Sequence, residues 1–311
     1  MSELIPVVAI VGPTAVGKSA LALRLAKSLD GEIISADSRQ VYRFMDIGTA
    51  KPSAEERASV RHHLIDIADP DEDYSLARFI QEVSEAIQNV KLISKLPLVA
   101  GGTGQYVWGL LEGWRAPKVP PNHELRLILT NRMAANGLSS LYDELVRRDP
   151  EGASRIDARN PRRVIRALEV FYTDPAVATS ERRNIPPPYN VKIIGLTLKR
   201  SALYRRIDDR VDAMIESGWV DEVRGLMNRG YAADLPSMSS LGYRELVQYL
   251  HGELSLDEAK ARIKYSTHRF ARRQYTWFKP TDERIQWFEA SDGLEVPEEA
   301  VKQWLRSCGS L

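Results

Sequence analysis

Lys18 and Ser19 close the run Gly12-Pro13-Thr14-Ala15-Val16-Gly17-Lys18-Ser19, which has the G-x-x-x-x-G-K-[ST] spacing of a phosphate-binding loop. Such a loop turns backbone N–H groups toward an anion, and the helix that follows adds positive potential. Its lysine reaches the terminal phosphates and its hydroxyl residue, here Ser19, holds Mg²⁺. The chemistry on offer is the binding of a phosphate or diphosphate, which need not belong to ATP. Asp37 lies in Asp37-Ser38-Arg39-Gln40-Val41-Tyr42 and could hold a metal, act as a general base, or only cap a turn. Gly101-Gly102-Thr103-Gly104 either brings backbone close to a ligand or makes a tight strand-to-helix turn. Adjacent His62 and His63 have no further ligands nearby in sequence and are read as structural.

These groups need elements to hold them. The apolar, β-branched run 4–11 predicts a buried parallel strand, and the helix formers at 20–26 predict a helix after the loop. Residues 32–36 read as a second strand ending at Asp37. Residues 75–94 read as a helix capped by Ser75, and 96–100 as a third strand. The alternation predicts an α/β fold, a P-loop parallel sheet with helices on both faces. Ligands of such sheets bind at the carboxyl ends of the strands, where the phosphate loop, Asp37 and 101–104 should converge. No strand ends in a Walker-B carboxylate; the third ends in Ala100-Gly101. That favours a kinase-like or transferase-like site over a standard ATPase.

The rhythm breaks at 115–121 and again at 184–189. Between the breaks the pattern is helical: 123–136, a capping box at 140–143, and a helix 162–172 opened by Asn160-Pro161. A strand returns at 191–198. Residues 115–190 are therefore expected to form a helical insertion in a core of 1–114 and 191–311, which ends in helices and a looser, mixed tail.

Hydrophobic residues make up 43% of the chain and charged ones 27%, ordinary for a globular protein. Cys308 is the single cysteine, which fits a reducing cytoplasm, and no signal peptide or membrane-spanning run is evident. Net charge is only +1, but its distribution is uneven. Lys260, Arg262, Lys264, His268, Arg269, Arg272, Arg273 and Lys279 occur with no acidic residue among them; Arg155, Arg159, Arg162, Arg163 and Arg166 face only Asp157. These are either solvated helix faces or contacts for a polyanion. In 266–278 the arginines Arg269, Arg272 and Arg273 share one helical face suited to phosphates. Phe270 and Trp277 face elsewhere, as core.

Taken together, GPTAVGKS (12–19), DSRQVY (37–42), DIGTAKP (46–52), HHLID (62–66), PLVAGGTGQY (97–106), NPRRVIRALEV (160–170), SLGYREL (240–246) and ARRQYTWF (271–278) resemble the bacterial tRNA dimethylallyltransferases, or tRNA isopentenyltransferases. The motifs keep the family's order over nearly the whole chain. Departures are mild: Arg39 for Met, Gln105 for Leu, His268-Arg269-Phe270 for Thr-Arg-x-Tyr, and Ser19 for a frequent Thr, which keeps the hydroxyl.

The resemblance implies transfer of a dimethylallyl group from dimethylallyl diphosphate to N6 of the adenosine just 3′ of the anticodon in a tRNA stem-loop. The phosphate loop would then hold the prenyl diphosphate, with Lys18, Mg²⁺ on Ser19 and an arginine, Arg206 or Arg210, neutralising the leaving group. Asp37 would take the amine proton, and Thr103 would orient the amine or the diphosphate. Ser38, Arg39 and Gln40 would meet the flipped base. Arg126, Pro161, Arg162, Arg163, Val164, Ile165, Arg269, Arg272 and Arg273 match tRNA-contacting parts of the family. The resemblance implies no obligatory protein partner and no membrane. The alternatives are a small-molecule P-loop kinase, in which Asp37 activates a hydroxyl for ATP, and a nucleic-acid-binding NTPase. The first leaves the basic faces unexplained, and the second lacks its Walker-B carboxylate.

Overall fold

A computed structural model of the chain describes residues 4–115, 117, 119–179 and 184–309. It divides into two compact units, 1–113 with 186–311, and 114–185.

The larger unit is built on six strands: β1 (Ile5–Val11), β2 (Gly31–Ser35), β3 (His62–His63), β4 (Leu96–Ala100), β5 (Tyr189–Thr197) and β6 (Ile285–Glu289). All pair in parallel, in the order β3-β2-β4-β1-β5-β6. Central β1 and β2 are almost wholly buried, as parallel strands covered on both faces must be. Helix α1 (Lys18–Ser28) lays Leu21, Ala22 and Leu25 on this sheet at helical spacing, against Val8, Ile10 and Leu98. Helices α2 (Ala54–Ser59), α3 (Leu76–Leu92) and α4 (Gly104–Leu111) complete the first half. Ser75 caps α3 by accepting the N–H of Arg78, as the sequence predicts.

One element is added and two readings are corrected. His62 and His63 form a short edge strand opposite Ile33 and Ile34, which two residues are too few to announce. Their structural role holds: His63 Nε2 lies 2.7 Å from Glu32 Oε2, and His62 Nδ1 lies 2.8 Å from Val60 O. Strand β5 starts at Tyr189, opposite Ile5, so the unit boundary falls after 185 rather than 190. The C-terminal segment is no loose tail. Strand β6 extends the sheet, and the last helix buries Val301 and Leu305 in the main core.

The smaller unit consists of α5 (His123–Arg148), α6 (Pro150–Ser154), α7 (Pro161–Thr173) and α8 (Pro175–Thr179). Helix α5 runs past its expected end and breaks at Gly137, where φ is 80° and ψ 160°, rather than at the proposed capping box. Leu129, Leu141, Leu145, Val164 and Leu168 form its core. Asn160 caps α7 by accepting the N–H of Arg163, with Pro161 at the first helical position. Buried Glu169 accepts from the N–H of Asn122, at 2.6 Å, and pairs with Arg126 and Arg166.

The larger unit continues with α9 (Arg200–Glu216), α10 (Trp219–Asn228), α11 (Tyr243–Leu250), α12 (Leu256–Trp277) and α13 (Glu295–Ser307). Among the described residues no helix is long and apolar enough to cross a membrane.

Candidate active site

The loops leaving β1, β2 and β4 open into one cavity of about 950 Å³, closed on its other sides by α9 and α12. Lys18, Asp37, Thr103, Arg206, Arg210 and Arg273 all reach its wall. Gly17 caps α1 with φ 111°, a conformation only glycine adopts freely, and a Cβ there would meet nothing within 4 Å. The first N–H groups of α1 therefore face open space suited to an anion.

Lys18 Nζ donates to the carbonyls of Gly12, at 3.0 Å, and Pro13, at 2.7 Å. Burial lowers its pKa to about 8; the Asp37 carboxylate opposes that shift and Arg210 adds to it. Arg206 reaches Val16 O at 3.4 Å from α9. Arg210, one turn further, has its pKa lowered by burial and supported by Asp37. Two half-buried cations thus share one carboxylate, and the site carries positive charge that an incoming diphosphate would neutralise.

Asp37 Oδ1 accepts the N–H of Arg39 at 2.8 Å, so the carboxylate caps its turn and lines the cavity as well. Thr103 Oγ1 accepts the N–H of Ser38 at 3.1 Å and lies 3.5 Å from Ser38 Oγ. Gln40 also lines the cavity, but its amide is engaged: Oε1 accepts from Ser35 Oγ at 2.8 Å, and Nε2 donates to Thr49 O and Ala50 O at 3.2 and 3.1 Å. Arg39 Nη1 donates to Pro236 O at 2.8 Å. Gly12, Pro13 and Val16 are buried beneath the loop, while Thr14, Ala15, Gly17, Lys18 and Ser19 line the cavity.

Several residues hold this arrangement through bonds that span distant parts of the chain. Gln274 on α12 is 3% exposed and bridges the phosphate loop, through Thr14 N, to Gly102 O. A Cβ on Gly101, Gly102 or Gly104 would collide with Ala36, Gln274 or Trp277 respectively. The glycines at 101, 102 and 104 thus make room for protein neighbours, which decides for the tight turn. Glu222 accepts the N–H groups of Asp46, Ile47 and Gly48 at 2.7, 2.7 and 3.2 Å, and the Tyr243 hydroxyl at 2.7 Å. The spacing of local motifs carries no trace of these long-range bonds.

The arginine face of α12 differs from the expectation. Phe270 and Trp277 are not core; they line the cavity with Arg273 and Gln274, and Trp277 is 37% exposed. Arg269 and Arg272 are exposed on the neighbouring helical face. The basic run is also partly neutralised. Lys260 and Lys264 pair with Asp212 at 3.0 and 2.6 Å, and His268 Nε2 lies 2.9 Å from Asp208. In the smaller unit Pro161, Arg162 and Arg163 are exposed, Ile165 is half-buried, and Arg126 is held by Glu169 at 3.0 Å. Val164 is fully buried in that unit's core, so its side chain cannot touch RNA.

The IPP transferase family model matches residues 40–281. The tRNA dimethylallyltransferase of Roseiflexus castenholzii is 52% identical over 302 residues, covering 96% of this chain and 98% of that one. That of Thermomicrobium roseum is 50% identical, covering 98% and 93%. In structure, the full-length tRNA isopentenylpyrophosphate transferase of Bacillus halodurans superposes with a TM-score of 0.72 at 39% identity, covering 98% of both chains. A eukaryotic dimethylallyltransferase acting on tRNA gives 0.77 at 29% identity, covering 92% of this chain and 74% of that one. With a strand-borne phosphate loop, a carboxylate and two arginines of α9 around one cavity, and with these relatives along its whole length, the chain belongs to the IPP transferase family.

Proposed function

We propose that this protein transfers the dimethylallyl group of dimethylallyl diphosphate to N6 of the adenosine just 3′ of the anticodon in tRNA, yielding N6-dimethylallyladenosine and diphosphate. The observation that carries the reading is the sharing of one cavity by Lys18, Arg206 and Arg210 on the anion side and Asp37 with Thr103 on the acceptor side. The kinase alternative is set aside, because the relatives over the whole chain are named tRNA dimethylallyltransferases.

The chemistry sets two demands. Diphosphate leaves readily only when its charge is neutralised, which falls to Lys18, Arg206 and Arg210. The adenine amine is a weak nucleophile, because its lone pair is delocalised, and gains from a base. As the C1–O bond breaks, its electron pair stays with diphosphate; the C1–N6 bond forms, and the N6 proton passes to the Asp37 carboxylate. Thr103 and Ser38, joined through their hydrogen bond, hold the acceptor side in place. Flipping the base out of its stack costs a few kcal/mol, least in a loop.

Mg²⁺ suits the donor set. Ser19 is exposed on the cavity wall, and among the described residues no group of three His, Cys, Asp or Glu side chains could hold a metal. A magnesium ion would take one protein hydroxyl, from Ser19, and draw its other ligands from phosphate oxygens and water, as this ion prefers. When bound it would neutralise leaving-group charge. We place the reaction in the cytoplasm and require no protein partner.

Incubation with labelled dimethylallyl diphosphate and tRNA, without ATP, tests the reading. Label should appear in the RNA, and its absence would refute the assignment. Asp37→Ala should lower the rate by about a hundredfold or more while RNA affinity stays similar. A near-natural rate would return Asp37 to turn capping alone.

A further inference from the structure

A second cavity, of about 840 Å³, adjoins the first. Arg210, Ala50 and Met214 line both, so these three residues form the partition between them. Their order along α9 gives it a direction. Arg206 touches the phosphate loop, Arg210 stands one turn on beside Lys18 and Asp37, and Met214 follows one turn later. Each four-residue step advances about 6 Å. A dimethylallyl group spans roughly 4 Å from C1 to its methyls by ordinary bond lengths. With the diphosphate at Arg206 and C1 near Arg210, a tail running along α9 would come within reach of Met214.

Of the three partition residues only one is free to yield. Ala50 is fixed, because its carbonyl accepts from Gln40 at 3.1 Å and its N–H donates to Ile47 O at 2.9 Å. The same loop is clamped by Glu222. Arg210 supplies charge at the reacting carbon. Met214 is half-buried and unbranched, with three rotatable bonds; beyond it Phe44, Ile47 and Ala213 offer apolar surface, while Lys51, Arg57 and Asp66, paired with one another, make the far wall charged.

We propose that Met214 is the specificity residue limiting the allylic donor to one isoprene unit, and that shortening it joins the two cavities into a site for a ten-carbon allylic diphosphate. This rests on the transferase reading above. The bonds made and broken are unchanged: C1–O breaks with its electrons on diphosphate, C1–N6 forms, and the proton goes to Asp37.

The test compares kcat/KM for geranyl and dimethylallyl diphosphate, with tRNA as acceptor, in the natural protein, Met214→Ala, Met214→Val and the volume-conserving Met214→Leu. The geranyl-to-dimethylallyl ratio should rise by about tenfold or more in the alanine variant, rise less in the valine variant, and stay within about twofold in the leucine variant. An unchanged ratio in an alanine or valine variant that still transfers dimethylallyl would overturn the proposal, as would a natural protein that uses both donors equally. Should alanine prevent folding, the valine variant decides. A natural protein that transfers neither donor would instead refute the function reading, and this inference with it.

Discussion

Gln274 Oε1 accepts the N–H of Thr14 at 2.7 Å, so a residue of α12 closes the phosphate loop of β1 across 260 positions of sequence. Its Nε2 donates to Gly102 O at 2.9 Å, and the side chain is sealed from water. Gln274→Ala would leave a buried donor and a buried acceptor unpaired, each costing about 1–3 kcal/mol. We expect a lower Tm and a KM for the prenyl diphosphate raised more than kcat is lowered. Gln274→Glu keeps an acceptor for Thr14 but sets a carboxylate against Gly102 O, so it should rescue only part of the loss. An alanine variant with natural Tm and KM would show the bond to be incidental.

Lys18 makes donor binding depend on pH. Its pKa of about 8 in the folded protein lies below the ordinary 10.5, because burial penalises the charge. Below pH 8 that penalty weighs fully on the unliganded fold, and it fades as pH rises from 8 to 10.5. Lys18→Met should therefore be the more stable protein at pH 7, with its advantage shrinking across that window. A bound diphosphate favours the ammonium, so binding above pH 8 must take up a proton. Affinity for dimethylallyl diphosphate without RNA should then fall by up to about tenfold per pH unit above 8. Calorimetry between pH 7 and 9.5 checks this, and a flat profile would contradict it.

The parts of the site legible in the sequence are those made within a few residues. The phosphate loop, Asp37 at the end of a strand and the Ser75 and Asn160 caps each depend on local spacing, and each stands where that spacing puts it. Gln274, Glu222 and Met214 act through partners brought near only by the folded sheet and helices; even where the residue stands in a quoted motif, as Gln274 does in ARRQYTWF, the spacing does not show what it touches. The burial of the Val164 side chain is also not legible. This residue sits between exposed Arg163 and half-buried Ile165, and only the packing of α5 against α7 shows that its side chain points to the core. Likewise Lys260, Lys264 and His268 read as free basic charge until α9 sets Asp212 and Asp208 beside them.

The C-terminal helix should be the acid-sensitive element of the larger unit. Glu298 on α13 receives hydrogen bonds from Lys302 and Arg24, which hold its pKa at about 2 against the ordinary 4.5. A depressed carboxyl stabilises the fold fully above pH 4.5, and that contribution disappears as pH falls from 4.5 toward 2. Glu298→Gln should lower Tm at pH 7 while narrowing the difference between the two proteins as the pH approaches 3. Thermal unfolding of both proteins at several pH values decides it. A constant difference would mean that the ion pairs do not support α13.

The exposed arginines of α12 should divide by position. Arg272 lies outside the cavity and Arg273 on its wall. A side chain that only neutralises an RNA phosphate releases counterions on binding, so its removal lowers affinity and flattens the dependence of log K on log salt by up to about one unit. Arg272→Ala should do this and leave kcat near its natural value at saturating tRNA. Arg273→Ala should weaken binding in the same way and also lower kcat, because Arg273 shares the cavity wall with Gln274 and Trp277 and its guanidinium lies over the Phe270 ring at 5.9 Å. Filter binding over a salt series, paired with single-turnover rates, separates the two effects. Equal losses of kcat in both variants would place Arg272 in the reacting site as well, and unchanged affinity in both would return this face to ordinary solvated surface.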